Sequence, residues 1–333
     1  MFYLVQSAVF ALGIALLVGG AWILIRGGSL IARILGVPPV VVGLTVVAFG
    51  TSAPELFVSI VGAVRGNTGL VLGNVIGSNV ANLGLILAAA AVLRPVIVEK
   101  GLIRREVPLV LAASLALTVF AWDGNLGRFD SLVLVLGFAG FMFWTIMHQE
   151  EGRRVLPAEP AGLPIDPGHR LRQMLLGGGM ILLGVAGLAG GGHFIVSSAL
   201  VLATSLGVSE TLVGLTLVAV GTSLPELATT IVAALQDEDD MALGNIVGSN
   251  LFNILAVAGP VGLTWTLTAE EGGLPFSSGL VTSPLQVQLL SMMLVTLAVT
   301  LMISRGRGRI GRGRGTVLLV LYAAIMSLWT LLR

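Results

Sequence analysis

Residues 43–82 read GLTVVAFGTSAPELFVSIVGAVRGNTGLVLGNVIGSNVAN, and residues 214–253 read GLTLVAVGTSLPELATTIVAALQDEDDMALGNIVGSNLFN. The two stretches align without a gap at an offset of 171, and 21 of their 40 positions are identical. Each places one acid, Glu55 or Glu226, inside an otherwise apolar run. On membrane-insertion scales an acid at the centre of a span costs roughly 2.5–3.5 kcal/mol, so an acid kept there marks a functional position. Two such acids at matched positions point to a cation site built between two halves of the chain.

The rest of the chain fits a membrane setting. It is 56% hydrophobic and only 11% charged, far from a soluble composition. Apolar runs long enough to cross a hydrocarbon core of ~30 Å as a helix recur along it. The net charge of +1 gives no reason to expect nucleic acid, and the absence of cysteine excludes disulfides and thiolate metal sites. The opening MFYLVQSAVFALGIALLVGGAWILI has no Lys or Arg before its apolar run and no evident cleavage pattern. It reads as a retained first span and not as a removed signal peptide.

Ten spans are expected, near 3–25, 38–64, 69–93, 107–122, 131–148, 174–203, 211–235, 241–267, 285–304 and 316–332. The one long polar connector, 149–173, is rich in proline and charge and reads as a linker. It separates a first five-helix repeat, 1–148, from a second, 174–333. A period of 171 is too long for a solenoid and fits the duplication of a transporter half. Five is odd, so the second copy must start on the opposite side of the membrane from the first. The expected fold is an all-α integral membrane protein of ten transmembrane helices, arranged as two inverted five-helix repeats. Connectors on one side carry 15 of the 18 basic residues, leaving Arg65, Arg128 and Arg333 on the other. The positive-inside rule makes the rich side cytoplasmic and puts both termini outside.

The chemistry concentrates in two motifs. In Gly50-Thr51-Ser52-Ala53-Pro54-Glu55 the proline cannot donate to the carbonyl a turn earlier, which breaks the helix and frees a backbone acceptor. Within lipid such backbone is tolerated only where protein or a water-filled cavity covers it. Gly221-Thr222-Ser223-Leu224-Pro225-Glu226 repeats the arrangement. In the following span Asn74, Ser78 and Asn82 fall at i, i+4 and i+8 on one helix face, and Asn245, Ser249 and Asn253 match them. Ca²⁺ takes about six to eight oxygens; two bidentate Glu and two freed carbonyls would supply six. The same oxygens, with the Ser and Asn side chains, suit Na⁺, and no His, Cys or third acid is at hand for a transition metal. Small and polar residues in membrane helices also serve as packing contacts, the plainer reading of Asn74 or Ser78 taken singly. His193, matched to Trp22 in the other copy, reads as a packed residue. Asp237-Glu238-Asp239-Asp240 reads as a solvated loop, and RGRGRIGRGRG at 305–315 as a cytoplasmic connector facing lipid phosphates.

At GTSAPE/GTSLPE and GNVIGSN/GNIVGSN the chain resembles the cation/calcium antiporter superfamily, most of all its prokaryotic sodium/calcium exchangers. The resemblance implies broken helices meeting at the bilayer midplane, with Glu55 and Glu226 as central ligands. It also implies that the Thr51 and Thr222 carbonyls complete a Ca²⁺ site. The Ala48 and Ala219 carbonyls, with Ser52, Ser223, Ser78 and Ser249, would hold flanking Na⁺ ions, and Asn82 and Asn253 would lie at the middle. Spans one and six would slide as a pair. Some relatives carry Asp at the position of Asn253, which makes potassium dependence unexpected here and leaves the ion stoichiometry open. The implied function is Na⁺/Ca²⁺ antiport in a prokaryotic plasma membrane, with Ca²⁺ and Na⁺ as cargo. The bilayer is the expected surrounding; no organic cofactor and no obligatory protein partner are expected. The alternatives are H⁺/Ca²⁺ antiport on the same fold, since protons compete for buried acids, and a cation channel. An intramembrane enzyme is disfavoured, because neither paired catalytic aspartates nor a metal-His motif is present.

Overall fold

The computed structural model describes residues 2–98, 100–147, 169–205, 221–269, 283–306 and 308–332. Nearly all of these are helical. In the first half the helices are α1 (Phe2–Leu35), α2 (Pro39–Thr51), α3 (Ala53–Val64), α4 (Thr68–Leu93), α5 (Lys100–Arg104), α6 (Glu106–Phe120) and α7 (Arg128–Met147). The second half adds α8 (Arg170–Ser205), α9 (Leu224–Leu235), α10 (Asp239–Trp265), α11 (Pro284–Arg305) and α12 (Arg312–Leu331). Among the described residues, seven helices are long and apolar enough to cross a membrane, or eight if the bent pair α2–α3 is one broken span. At the other two expected spans lie α6 and α9, which at 15 and 12 residues are shorter than a crossing among the described residues. The part of span seven at 211–220 and the linker up to 168 lie outside the described residues. Arg170–Gln173, expected in the linker, already belong to α8.

Helix ends follow local chemistry. α1 runs ten residues past its expected end at 25, because Gly27-Gly28-Ser29-Leu30 continues a buried face. It stops where Gly36 takes a left-handed conformation (φ 66°). There the Gly36 and Val37 amides bond back to the Arg33 and Ala32 carbonyls, and Pro38-Pro39 follows. At 34 residues, α1 is about 51 Å long, well beyond a ~30 Å core. Its Arg26 lies inside the helix and rests its guanidinium 3.8 Å over the Trp22 ring. Asn67 caps α4 by accepting from the Leu70 amide, and Ser283 with Gln286 forms a capping box at α11.

Among the described residues three stretches widen to π-helix: Gly43–Val47 in α2, Asn82–Ile86 in α4 and Phe252–Ala258 in α10. The last two occupy matched positions of the two repeats. Such single wide turns recur at functional sites.

Packing divides the chain into two bodies. The first holds residues 1–54 and 145–245, the second 55–144 and 246–333. In the first, α1 lies along α8 over a core that includes Leu17, Ala21, Leu24, Ile25 and Leu188. Gly13, Gly20 and Gly27 face Gly191, Gly184 and Gly177 in turn, so the two helices run antiparallel. A Cβ on Gly20 would lie 2.7 Å from the Leu188 nitrogen, and one on Gly184 2.7 Å from the Leu24 nitrogen; only glycine permits this approach. α1 and α8 hold equivalent places in the two copies, yet point in opposite directions.

In the second body α4 packs on α11, α12 on the C-terminal part of α4, and α6 on α11. Two short antiparallel ribbons cross-link the copies. Strand β1 (Val96–Ile97) pairs with β4 (Arg309–Ile310), and β2 (Asn125–Leu126) with β3 (Leu267–Thr268). β1 and β3 both follow the span that carries the Asn-Ser-Asn face, so each repeat sends the same element to a strand of the other. Each ribbon also requires an even number of crossings between its two connectors, which the expected spans satisfy: six for the first ribbon, four for the second.

Candidate functional site

The sequence requires the chain to break at Pro54 and Pro225, and it breaks there. α2 ends at Thr51 and Ser52 leaves helical geometry (φ −85°, ψ 4°). α3 then starts with Pro54 at its second position, where no N–H is needed, and the axis turns by 43°. Ser223 has nearly the same backbone (φ −88°, ψ 1°) ahead of α9, again with proline in the first turn. Both breaks rest on α8 through glycines without room for a side chain: Gly50 against Val185 and Gly221 against Val196.

Within the first body the break of copy one meets the acid of copy two. Glu226 is 1% exposed. The Ser52 hydroxyl donates to Glu226 Oε1 at 3.0 Å, while Glu226 Oε2 has no hydrogen-bond partner. Next to it the Thr51 hydroxyl donates to Asn245 Oδ1 at 3.0 Å and lies 3.3 Å from the Ala48 carbonyl. That carbonyl also accepts from the Ser52 amide at 2.9 Å, so Ala48, implied as a Na⁺ ligand, already carries two protein donors. Ser223 is buried and its hydroxyl has no partner. Thr222 is buried close by in sequence. Ala219 lies outside the described residues.

Within the second body Glu55 is also 1% exposed. Asn74 Nδ2 sits 3.0 Å from the Glu55 carbonyl and 3.0 Å from Ser59 Oγ, which ties α4 to α3 one turn beyond the acid. Ser78 and Ser249 are buried. Asn82 and Asn253 are buried where the π-helical stretches begin, and neither end of either amide has a hydrogen-bond partner. A buried amide left unmatched costs about 1–3 kcal/mol or more, and these two stand at equivalent positions of the copies. Asn79 and Asn250 each give Nδ2 to the carbonyl four residues back, Val75 and Ile246, and leave Oδ1 unmatched.

Sequence reasoning missed Ser59 and Thr230. Each follows its Glu by four residues, and each accepts from the matched Asn, with Asn245 Nδ2 donating to Thr230 Oγ1 at 3.2 Å. A hydroxyl one turn after the acid in both copies was the available signal. Glu238, expected in a solvated loop, instead accepts from the Ser29 hydroxyl at 2.6 Å, and Asp239 and Asp240 open α10.

Two buried carboxylates, unmatched buried amides and helices broken at proline, in a chain with seven or eight membrane-length helices among its described residues, are features expected of a cation transporter. The chain belongs to the sodium/calcium exchanger protein family, whose profile matches residues 5–147 and 176–331. It is a membrane cation antiporter, not an enzyme. It is 33% identical to the sodium/calcium exchanger MaX1 of Methanosarcina acetivorans, over 97% of both chains. It is 39% identical to the putative antiporter CaxA of Alkalimonas amylolytica, over 77% of this chain and 80% of that one. With inner membrane protein YrbG of Escherichia coli it shares 37% over 77% of this chain and 79% of the relative. Among solved structures it superposes on the sodium-calcium exchanger NCX_Mj with a TM-score of 0.81 and 28% identity, covering 98% of this chain and 99% of that one.

Proposed function

We propose that this chain exchanges Na⁺ for Ca²⁺ by alternating access, with ten spans forming two inverted repeats. Ions are held by the Glu55 and Glu226 carboxylates and the Thr51 and Thr222 carbonyls. Ser52, Ser223, Ser78, Ser249, Asn82 and Asn253, with the Ala48 and Ala219 carbonyls, serve the flanking positions. The observation that carries the proposal is Glu226: a buried carboxylate whose hydrogen-bond partner, Ser52, is neutral and comes from the other copy. A buried carboxylate that no salt bridge among the described residues neutralises must take up a cation or a proton. The antiparallel α1–α8 pair and the parity of the two ribbons support the inverted arrangement, and the basic connectors support a cytoplasmic linker at 149–173 with both termini outside a prokaryotic plasma membrane.

With Asn at both 82 and 253, two carboxylates neutralise one Ca²⁺ or two Na⁺ ions, whereas three Na⁺ would leave the site at +1. Proton coupling is the second reading, favoured by the full burial of Glu226. Purified protein in Na⁺-loaded liposomes should accumulate radiolabelled Ca²⁺ when external Na⁺ is removed, with saturation and a strict need for internal Na⁺. Uptake driven by a pH gradient and indifferent to Na⁺ would overturn Na⁺ coupling in favour of protons. Uptake without any counter-ion would point to a channel.

A further inference from the structure

We infer that Asn245 is a positioning residue for the ion site, locking the broken end of α2 onto α9 through the two ends of its amide. The inference rests on the reading of Glu226 as an ion ligand. Asn245 is fully buried. Its Oδ1 accepts from the Thr51 hydroxyl at 3.0 Å and its Nδ2 donates to the Thr230 hydroxyl at 3.2 Å. Thr230 stands one helical turn after Glu226, and Thr51 directly precedes Ser52, whose hydroxyl donates to Glu226 Oε1 at 3.0 Å. The contacts close a ring: Glu226 to Ser52, along the backbone to Thr51, across to Asn245, on to Thr230, and back along α9 to Glu226.

An amide at 245 serves this ring without charge, accepting from Thr51 and donating to Thr230. A carboxylate could only accept from the two hydroxyls and would set a third charge close to Glu226; an aliphatic side chain would bond neither. Both ends of the amide are engaged by protein, so Asn245 does not itself face an ion. It holds the non-helical Ser52 backbone, and with it the Thr51 carbonyl, at a fixed place beside the Glu226 carboxylate. The chain has few other means of doing so, because Gly50 offers no side chain and Pro54 no N–H.

The test measures Na⁺-driven Ca²⁺ uptake in liposomes as half-saturation concentration and maximal rate separately. Asn245→Ala should raise the Ca²⁺ half-saturation about tenfold while the maximal rate of correctly inserted protein changes less than about twofold, as expected when a buried hydrogen-bonded amide orders a ligand. Thr230→Val, which keeps shape and removes only the hydroxyl, should move the half-saturation the same way by about threefold, and Thr230→Ser should restore the parent value. If Asn245→Ala cannot be purified folded, the Thr230 pair decides. Parent-like half-saturation in Thr230→Val overturns the inference, as does an Asn245→Ala variant that loses thermal stability alone. Glu226→Gln in the same liposomes separates the two levels. Retained exchange there removes the ion site itself, whereas lost exchange beside parent-like Asn245→Ala and Thr230→Val removes only the positioning role.

Discussion

Asn74 and Asn245 hold the same place in the two copies, and their amides go to different groups. Asn74 stays inside its own copy, with Nδ2 near the Glu55 carbonyl and Ser59. Asn245 matches the Ser59 contact with one to Thr230, then reaches out of its copy to Thr51. Ser52 likewise crosses between copies to Glu226. Duplication therefore fixed which side chains are available, while tertiary packing decided which copy each one serves. A site made this way has pseudo-symmetric residues in unequal environments, and substitutions at matched positions can separate what the two copies share from what they do not.

The acids should be the point of equality. On the proposed ion site, Glu55→Gln and Glu226→Gln would each remove one of two charges balancing Ca²⁺, so each should lower exchange by more than about a hundredfold while the protein still inserts. Ca²⁺ uptake retained in either variant would show that only one copy supplies a ligand.

A second contrast lies in α1 and α8. A side chain at Gly20 would collide with α8 backbone, whereas Gly19 has open space around it. Gly20→Leu should cost about 3 kcal/mol or more and lose most folded protein, while Gly19→Leu should be tolerated. Equal melting behaviour of the two in detergent would disprove the close antiparallel packing.

The breaks at Ser52 and Ser223 were legible because proline has a fixed local consequence. The repeat was legible because two acids inside apolar runs are costly enough to stand out. The π-helical turns in α4 and α10 were not legible: one extra residue within a helical turn leaves the apolar pattern almost unchanged. The reach of Asn245 to Thr51 was not legible either, since i, i+4 spacing places a side chain on a face but does not say what that face meets. The first span was expected to end at 25, just before Arg26. The apolar stretch beyond it and the Trp22 ring beneath its guanidinium carry α1 further.

The serines should differ by degree. Ser52 donates to Glu226, while the Ser223 hydroxyl has no protein partner. Ser52→Ala should raise the Ca²⁺ half-saturation about tenfold, through loss of a hydrogen bond to a charged group. Ser223→Ala should leave Ca²⁺ within about twofold and act on Na⁺ alone, because no protein contact is lost. Equal effects of the two on Ca²⁺, measured in parallel uptake curves, would mean that the unequal environments do not persist through the transport cycle.

The smallest expected change is at Asn253, proposed with Asn82 for the middle of the ion site, where the copies agree most closely. Asn82 and Asn253 are both buried, both lie in the first two residues of a π-helical stretch and both lack hydrogen-bond partners. Asn253→Asp keeps the shape and adds a group that is neutral at acidic pH and charged at alkaline pH. At acidic pH the variant should transport as the parent does, because a protonated carboxyl presents a carbonyl and a donor much as the amide does. As pH rises, the added charge should favour a further monovalent cation and weaken the preference for Ca²⁺ over Na⁺, so the two uptake curves should diverge in the alkaline direction only. Divergence at acidic pH instead would mean that the amide donor itself is used in transport. Curves that coincide throughout would place Asn253 outside the ion path and leave the two Glu residues as the whole of the charge that selects the ion.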